Sequence, residues 1–279
     1  MEGATATETC YRHPRRETAV HCSNCGRPIC PDCMTPTPVG MRCPECSRQK
    51  TQVRTIRTMS SDPQLTYAII AINVIIFVAQ IATGAGGFNA TSGTVYRDGA
   101  LFGPAVATGD WYRIVSGGFL HASLLHIAFN MYFVYFLGNM LEPAIGKLRF
   151  GALYIVSLLG GSLGALLLSF PHPTVGASGA AFGLLAGAII LMRSRGINPM
   201  ESGLVMLLVL NLGITFILPG ISVGGHLGGV IAGGVVGLLL FEVGEKQRGM
   251  RQAALGATVL LGAVLAVVCV VYSRSKLGI

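Results

Sequence analysis

Residues 223–241 read VGGHLGGVIAGGVVGLLLF, a run without a charge, with one histidine, His226, and a glycine at every fourth position through Gly225, Gly229, Gly233 and Gly237. A helix needs about 20 mostly apolar residues to cross ~30 Å of hydrocarbon, and this run is that long. Glycines four apart form a ridge that lets another helix backbone approach closely. A matching ridge, Gly179, Gly183 and Gly187, lies in residues 176–192, GASGAAFGLLAGAIILM. The two runs are therefore expected to be membrane helices packed face to face.

Working outward, the same criterion finds seven apolar runs: Leu65–Thr83, Leu124–Glu142, Leu148–Phe170, Gly176–Met192, Met200–Leu218, Val223–Phe241 and Ala253–Tyr272. The whole chain of 279 residues is 52% hydrophobic and only 11% charged, with a mean hydropathy of +0.62. That composition excludes an ordinary soluble domain. The net charge of +8 is explained by basic residues flanking the runs, so no nucleic acid partner is expected. Lys147 and Arg149, Arg193 and Arg195, and Lys246, Arg248 and Arg251 follow the second, fourth and sixth runs, whereas Pro171–Val175 and Pro219–Ser222 carry no charge. Positive-inside then puts the N-terminus in the cytoplasm, with Arg274 and Lys276 after the last run in disagreement. Met1–Thr9 has no secretory signal or transit pattern. The long link from Gly84 to Ser123, which contains Trp111, Tyr112 and Arg113, is expected to fold into or along the bilayer surface.

Seven of the eight cysteines crowd between Cys10 and Cys46, in a segment too short to build a core without cross-links. They form four pairs with two-residue gaps: Cys10 with His13, Cys22 with Cys25, Cys30 with Cys33, and Cys43 with Cys46. Eight ligands suit two tetrahedral zinc sites with no open position for water, hence a structural metal and a docking or regulatory module. The segment resembles B-box and RING-like modules, by analogy with which the first and third pairs share one metal and the second and fourth the other. His21 is an alternative to His13. A disulfide-bonded knot is the competing reading, disfavoured by the reducing side on which the topology places it. Cys269, alone in an apolar run, reads as a small buried hydrophobe.

Ionisable and polar groups inside hydrocarbon are costly and tend to mark function or packing. Ser178 and His226 each lie within about one turn of the start of their run, and both runs enter from the same face. A serine hydroxyl becomes a useful nucleophile when an imidazole takes its proton and later returns it to the leaving amine. The acids inside the runs, Glu142 and Glu201, belong near the cytoplasmic ends, so a dyad is expected rather than a triad. His126 and Asn130, four apart on one helix face, are candidates to stabilise an oxyanion together with the Ser178 amide.

In chain order, Trp111-Tyr112-Arg113, His121, His126 with Asn130, Gly138 with Glu142, Gly176-Ala177-Ser178-Gly179 and His226 with Gly228, Gly229 and Gly233 resemble the rhomboid family over about Leu65–Phe241. The resemblance implies an all-α polytopic membrane protein, a six-helix rhomboid core plus one C-terminal helix and a small N-terminal zinc-binding domain. It implies an intramembrane serine endopeptidase with Ser178 as nucleophile and His226 as base. His126, Asn130 and Gly176 then serve the oxyanion and substrate, Phe182 stacks on the histidine, and substrate arrives beside a mobile fifth span. Domain boundaries are expected at 1–50 for the zinc module, 51–64 for a basic linker, 65–242 for the core and 243–279 for the last helix and tail. The expected setting is a bacterial plasma membrane, with transmembrane proteins as substrates, a cytoplasmic partner for the zinc module and no cofactor in catalysis. A catalytically silent, client-binding rhomboid-like protein and a transporter are the alternatives. The transporter would need repeated halves, and none is found.

Overall fold

The computed structural model describes residues 8–37, 39–48, 62–84, 89–247 and 249–279. Arg54 and Arg57 of the expected basic linker, and Lys50 before it, lie outside the described residues. Contacts divide the chain into two units, Met1–Met59 and Ser60–Ile279.

The first unit has two antiparallel hairpins, β1 (Glu8–Cys10) with β2 (His13–Thr18) and β3 (Thr35–Thr37) with β4 (Gly40–Arg42), followed by one helical turn, α1 (Pro44–Ser47). Its buried core is six cysteines and Ile29, with Tyr11 and Met34 packed against them. That is little apolar volume for a unit of this size.

The second unit is helical. Helix α2 (Gln64–Ala82) leads into the long link, which holds three short helices, α3 (Thr94–Gly99), α4 (Gly103–Thr108) and α5 (Arg113–Ser116). Then follow α6 (Leu124–Ile145), α7 (Lys147–Ser169), α8 (Ser178–Ser194), α9 (Leu204–Ile217), α10 (Val223–Gly237, continued as a π-helix over Leu238–Val243) and α11 (Arg251–Leu277). Among the described residues five helices are long and apolar enough to cross a membrane, namely α2, α6, α7, α10 with its continuation, and α11. Of the other two, α8 is as long as its run but starts two residues later, and α9 is shorter than its run. Helix α8 begins at Ser178 because Gly176 has φ +128°, which no helix contains. Helix α9 begins at Leu204 because Asn198 to Gly203 form turns: Met200 N donates to Asn198 Oδ1, Ser202 Oγ donates to the Pro199 carbonyl, and Gly203 has φ +75°. At a typical helical rise this leaves α9 well short of the hydrocarbon thickness.

Helix α10 is wedged between α7 and α8 with backbone against backbone. A Cβ on Gly229 would fall on the Gly179 carbonyl, and one on Gly233 would fall on the backbone of Gly183. On its other side, Gly224 and Gly228 meet Gly164 and Gly160 of α7 as closely.

Helix α2 is fastened differently. Fully buried Glu142 of α6 accepts from the amides of Leu65 (2.9 Å) and Thr66 (2.7 Å) and from the Thr66 hydroxyl (2.8 Å). These amides are among those a helix start leaves without partners, and a carboxylate there also meets the positive end of the dipole. Gly138, one turn before Glu142, leaves the space that the Thr66 side chain fills.

The link is pinned by buried polar groups. Gln80 of α2 donates to the carbonyls of Ala90 and His121 and accepts from the His121 amide. Arg113 bonds Asp110 Oδ2 and the carbonyls of Arg97 and Ala100. Trp111 and Tyr112 beside it are exposed. Cys269 of α11 is fully buried among Leu101, Val106 and Ile114.

Gly233→Ala should destabilise the helical unit by about 1–3 kcal/mol through overpacking, whereas Gly256→Ala, with nothing within 4 Å, should be neutral or better. Thermal unfolding of the two variants in one detergent checks this.

Candidate active site

The segment before α8 is held from outside. Leu101 and Thr174 exchange two backbone hydrogen bonds (3.0 and 2.8 Å), and the Gly176 amide donates to the Gly117 carbonyl (3.0 Å). The positive φ of Gly176 then turns the chain so that Ser178 opens α8. As the first residues of a helix, Ser178 and Gly179 offer N–H groups that no intrahelical carbonyl can accept.

His226 comes from α10, whose start is capped by Ser222 Oγ accepting from the Gly225 amide. The Gly179–Gly229 contact sets the spacing of the two helices, and His226 Nε2 lies 2.8 Å from Ser178 Oγ. The imidazole is 8% exposed, and Phe182, one turn into α8, stacks on it at 4.2 Å between centroids and 26° between planes.

The far edge of the imidazole meets Thr215 of α9, which the sequence did not single out: Thr215 Oγ1 is 2.7 Å from His226 Nδ1. The Thr215 hydroxyl donates its single hydrogen to the Asn211 carbonyl at 2.8 Å, so towards His226 it can only accept. With that donation made, Nδ1 carries the imidazole proton and Nε2 is left unprotonated, facing the Ser178 hydroxyl.

His126 obeys the same bookkeeping in reverse. Its Nδ1 accepts from the Ala122 amide (3.2 Å), so in the neutral ring Nε2 bears the hydrogen. A Cβ on Gly176 would sit 2.7 Å from His126 Nε2 and 3.7 Å from Ser178 Oγ, so the N–H and the hydroxyl converge on one small space that only glycine leaves clear. Asn130 is different: its Nδ2 donates to the carbonyl of His126 on its own helix (2.8 Å), which engages one of its two amide hydrogens. Buried His121 lies edge-on to His126, with centroids 5.1 Å apart. Glu142 is taken up by α2, and Glu201 sits in the turn before α9, accepting from Asn198.

In the N-terminal unit the cysteines gather into two clusters, Cys10, His13, Cys30 and Cys33, and Cys22, Cys25, Cys43 and Cys46, with the ligand atoms of each within 4.8 Å of one another. His13 Nδ1 is 3.8, 3.3 and 3.4 Å from the sulfurs of Cys10, Cys30 and Cys33, close to the edge lengths of a tetrahedron built with ~2.3 Å metal–sulfur bonds. His21 is elsewhere, with Nε2 2.9 Å from Glu8. All the cysteines are free thiols. Amides of Cys43 and Cys46 donate to the sulfurs of Cys22 and Cys43 (3.3 and 3.4 Å). Burial opposes ionisation of Cys10 and Cys22, yet backbone amides bring both down to about 6. Burial pushes Cys33 up to about 11 and Cys43 up to about 12. Both clusters can hold a metal ion.

Compared with known proteins, residues 108–243 match the Rhomboid domain family. The chain is 30% identical over 175 residues to Rhomboid protease GluP of Bacillus subtilis (strain 168), covering 61% of this chain and 34% of that protein. It is 30% identical over 211 residues to RHOMBOID-like protein 6, mitochondrial, of Arabidopsis thaliana, covering 63% and 68%. To Rhomboid protease AarA of Providencia stuartii it is 26% identical over 239 residues, covering 76% and 83%. The chain spans half or less of the length of several curated relatives it matches.

The tautomer of His226 is measurable. Nitrogen NMR of labelled histidine should report the Nδ1–H form in the native chain, a mixture in Thr215→Val, and the Nδ1–H form again in Thr215→Ser.

Proposed function

The chain belongs to the rhomboid family, and on that premise we propose that it is an intramembrane serine endopeptidase with Ser178 as nucleophile and His226 as general base. The observation that carries this reading is the 2.8 Å approach of Ser178 Oγ to an imidazole nitrogen whose partner nitrogen is already engaged by Thr215. Oγ attacks the scissile carbonyl as its proton passes to Nε2, and the carbonyl oxygen takes the negative charge. The Ser178 amide and the Nε2–H of His126 are the donors for that oxygen, with Asn130 adding its second amide hydrogen. Collapse of the tetrahedral species breaks the C–N bond, and His226 returns the proton to the departing amine. Water, deprotonated by the same nitrogen, then cleaves the acyl ester and restores Ser178. No metal or organic cofactor is needed in these steps.

The substrates are transmembrane proteins. A helix in lipid keeps its backbone groups paired, so its carbonyl becomes attackable only where it unwinds, and cleavage beside small or helix-breaking residues follows. The chain is a multi-pass integral membrane protein, and the basic links favour a cytoplasmic N-terminus in a bacterial plasma membrane.

Zinc is the metal the N-terminal clusters suit. Three sulfurs with one nitrogen, and four sulfurs, are both closed tetrahedral sets, so we assign the metal a structural role in a module available to a cytoplasmic protein partner.

Purified chain should cut a generic transmembrane substrate, and Ser178→Ala should lose on the order of a thousandfold or more of the rate. Equal cutting by both would remove Ser178 from the mechanism. A fluorophosphonate should label Ser178 in the native chain and not in His226→Ala. Metal analysis should find about two zinc ions per chain, about one in His13→Ala and an undiminished content in His21→Ala. Acid should release them, because thiolates and neutral imidazole are the binding forms.

A further inference from the structure

A cavity of about 540 Å³ opens at the start of α7 and α11, lined by Ile145, Gly146, Lys147, Leu148, Arg149, Arg251, Gln252 and Leu255. Helix α7 runs from Lys147 to Ser169, long enough to traverse the hydrocarbon. The cavity is therefore at the opposite end of the bundle from Ser178, which follows the far end of α7.

Among the described residues its lining has three cations and no carboxylate. Arg149 is 5% exposed, and its Nη1 pairs with Glu245 at 2.7 Å, which holds the guanidinium rigid and accounts for one of its five N–H donors. Lys147 donates to Gln64 Oε1, and Arg251 is exposed at the rim. Two positive charges remain after the Glu245 pair is subtracted. Beside them, Leu148 is 78% exposed, and Ile145 and Leu255 continue the apolar wall.

We infer that this cavity is a binding site for the phosphate of an anionic phospholipid, with an acyl chain lying along Leu148 and Leu255. Phosphate is the group that two uncompensated cations beside a fixed guanidinium select, and basic pockets between membrane helices bind such headgroups. The apolar wall distinguishes a lipid from a free anion, since a soluble phosphate has nothing to place against exposed leucine. Leu255 lies one turn further into α11 than Arg251, which places the headgroup at Arg149 and Arg251 and the tail towards the bilayer centre. The inference is independent of the proteolytic reading, because none of these residues belongs to the Ser178 site.

The test uses the full chain, delipidated in neutral detergent and returned to phosphatidylglycerol or phosphatidylcholine, with bound lipid counted by native mass spectrometry. Native protein should retain phosphatidylglycerol over phosphatidylcholine, and the double variant Lys147→Gln with Arg251→Gln should retain it roughly thirtyfold less well. Arg149 is left in place so that its pair with Glu245 survives. A second double variant, Arg274→Gln with Lys276→Gln, removes the same charge from the other end of α11 and should bind as the native chain does. Equal retention of both lipids, equal loss in both double variants, or displacement of the lipid by millimolar inorganic phosphate would each overturn the assignment.

Discussion

In lipid an apolar side chain gains nothing by leaving the tails for a protein neighbour, so helices associate through close contact of their backbones. In this chain that contact is carried by α10, with Gly224 and Gly228 against α7 and Gly229 and Gly233 against α8. The site follows from it. Ser178 precedes Gly179 in α8 and His226 precedes Gly229 by nearly one turn in α10, so the distance between hydroxyl and imidazole is set by carbonyl against glycine. Flexible side chains have little say in it. Interiors packed to this density respond to one added carbon, and a shift of about 1 Å takes a reacting pair out of productive geometry.

The two histidines of the pocket have the same pKa in water and opposite assignments here. His226 is made an acceptor at Nε2 because Thr215 occupies Nδ1, and His126 is made a donor at Nε2 because the Ala122 amide occupies Nδ1. Each choice is imposed by a single hydrogen bond from a group whose own donor or acceptor role is already fixed.

Much of this was legible in the chain itself. Glycines four apart marked the face that α10 turns to α8, and the resemblance singled out Ser178, His226, His126 and Phe182, which the structure gathers into one pocket. The cysteines gather as the analogy with interleaved modules expects, and of the two candidate histidines it is His13 whose imidazole lies among the sulfurs. Thr215 was not legible. A threonine in a membrane helix ordinarily bonds its own preceding turn, and Thr215 does so; its second role depends on the rotation of α9 about its axis, which no spacing in that helix encodes. The glycine contact between α7 and α10 was missed for a related reason, since α10 carries glycines on two faces and periodicity alone shows one ridge at a time. The starts of α8 and α9 were placed too early because hydropathy does not register a positive φ at Gly176 or the turns before Leu204.

The two ligand clusters of the N-terminal unit bracket overlapping stretches, Cys10 to Cys33 and Cys22 to Cys46. Two beads on a string would each pay their own entropy of ring formation. Here an ion captured by the first set also shortens the path that the second must close, and the reverse holds equally. Were both sets metallated, they would be coupled through the stretch they share, Cys22 to Cys33.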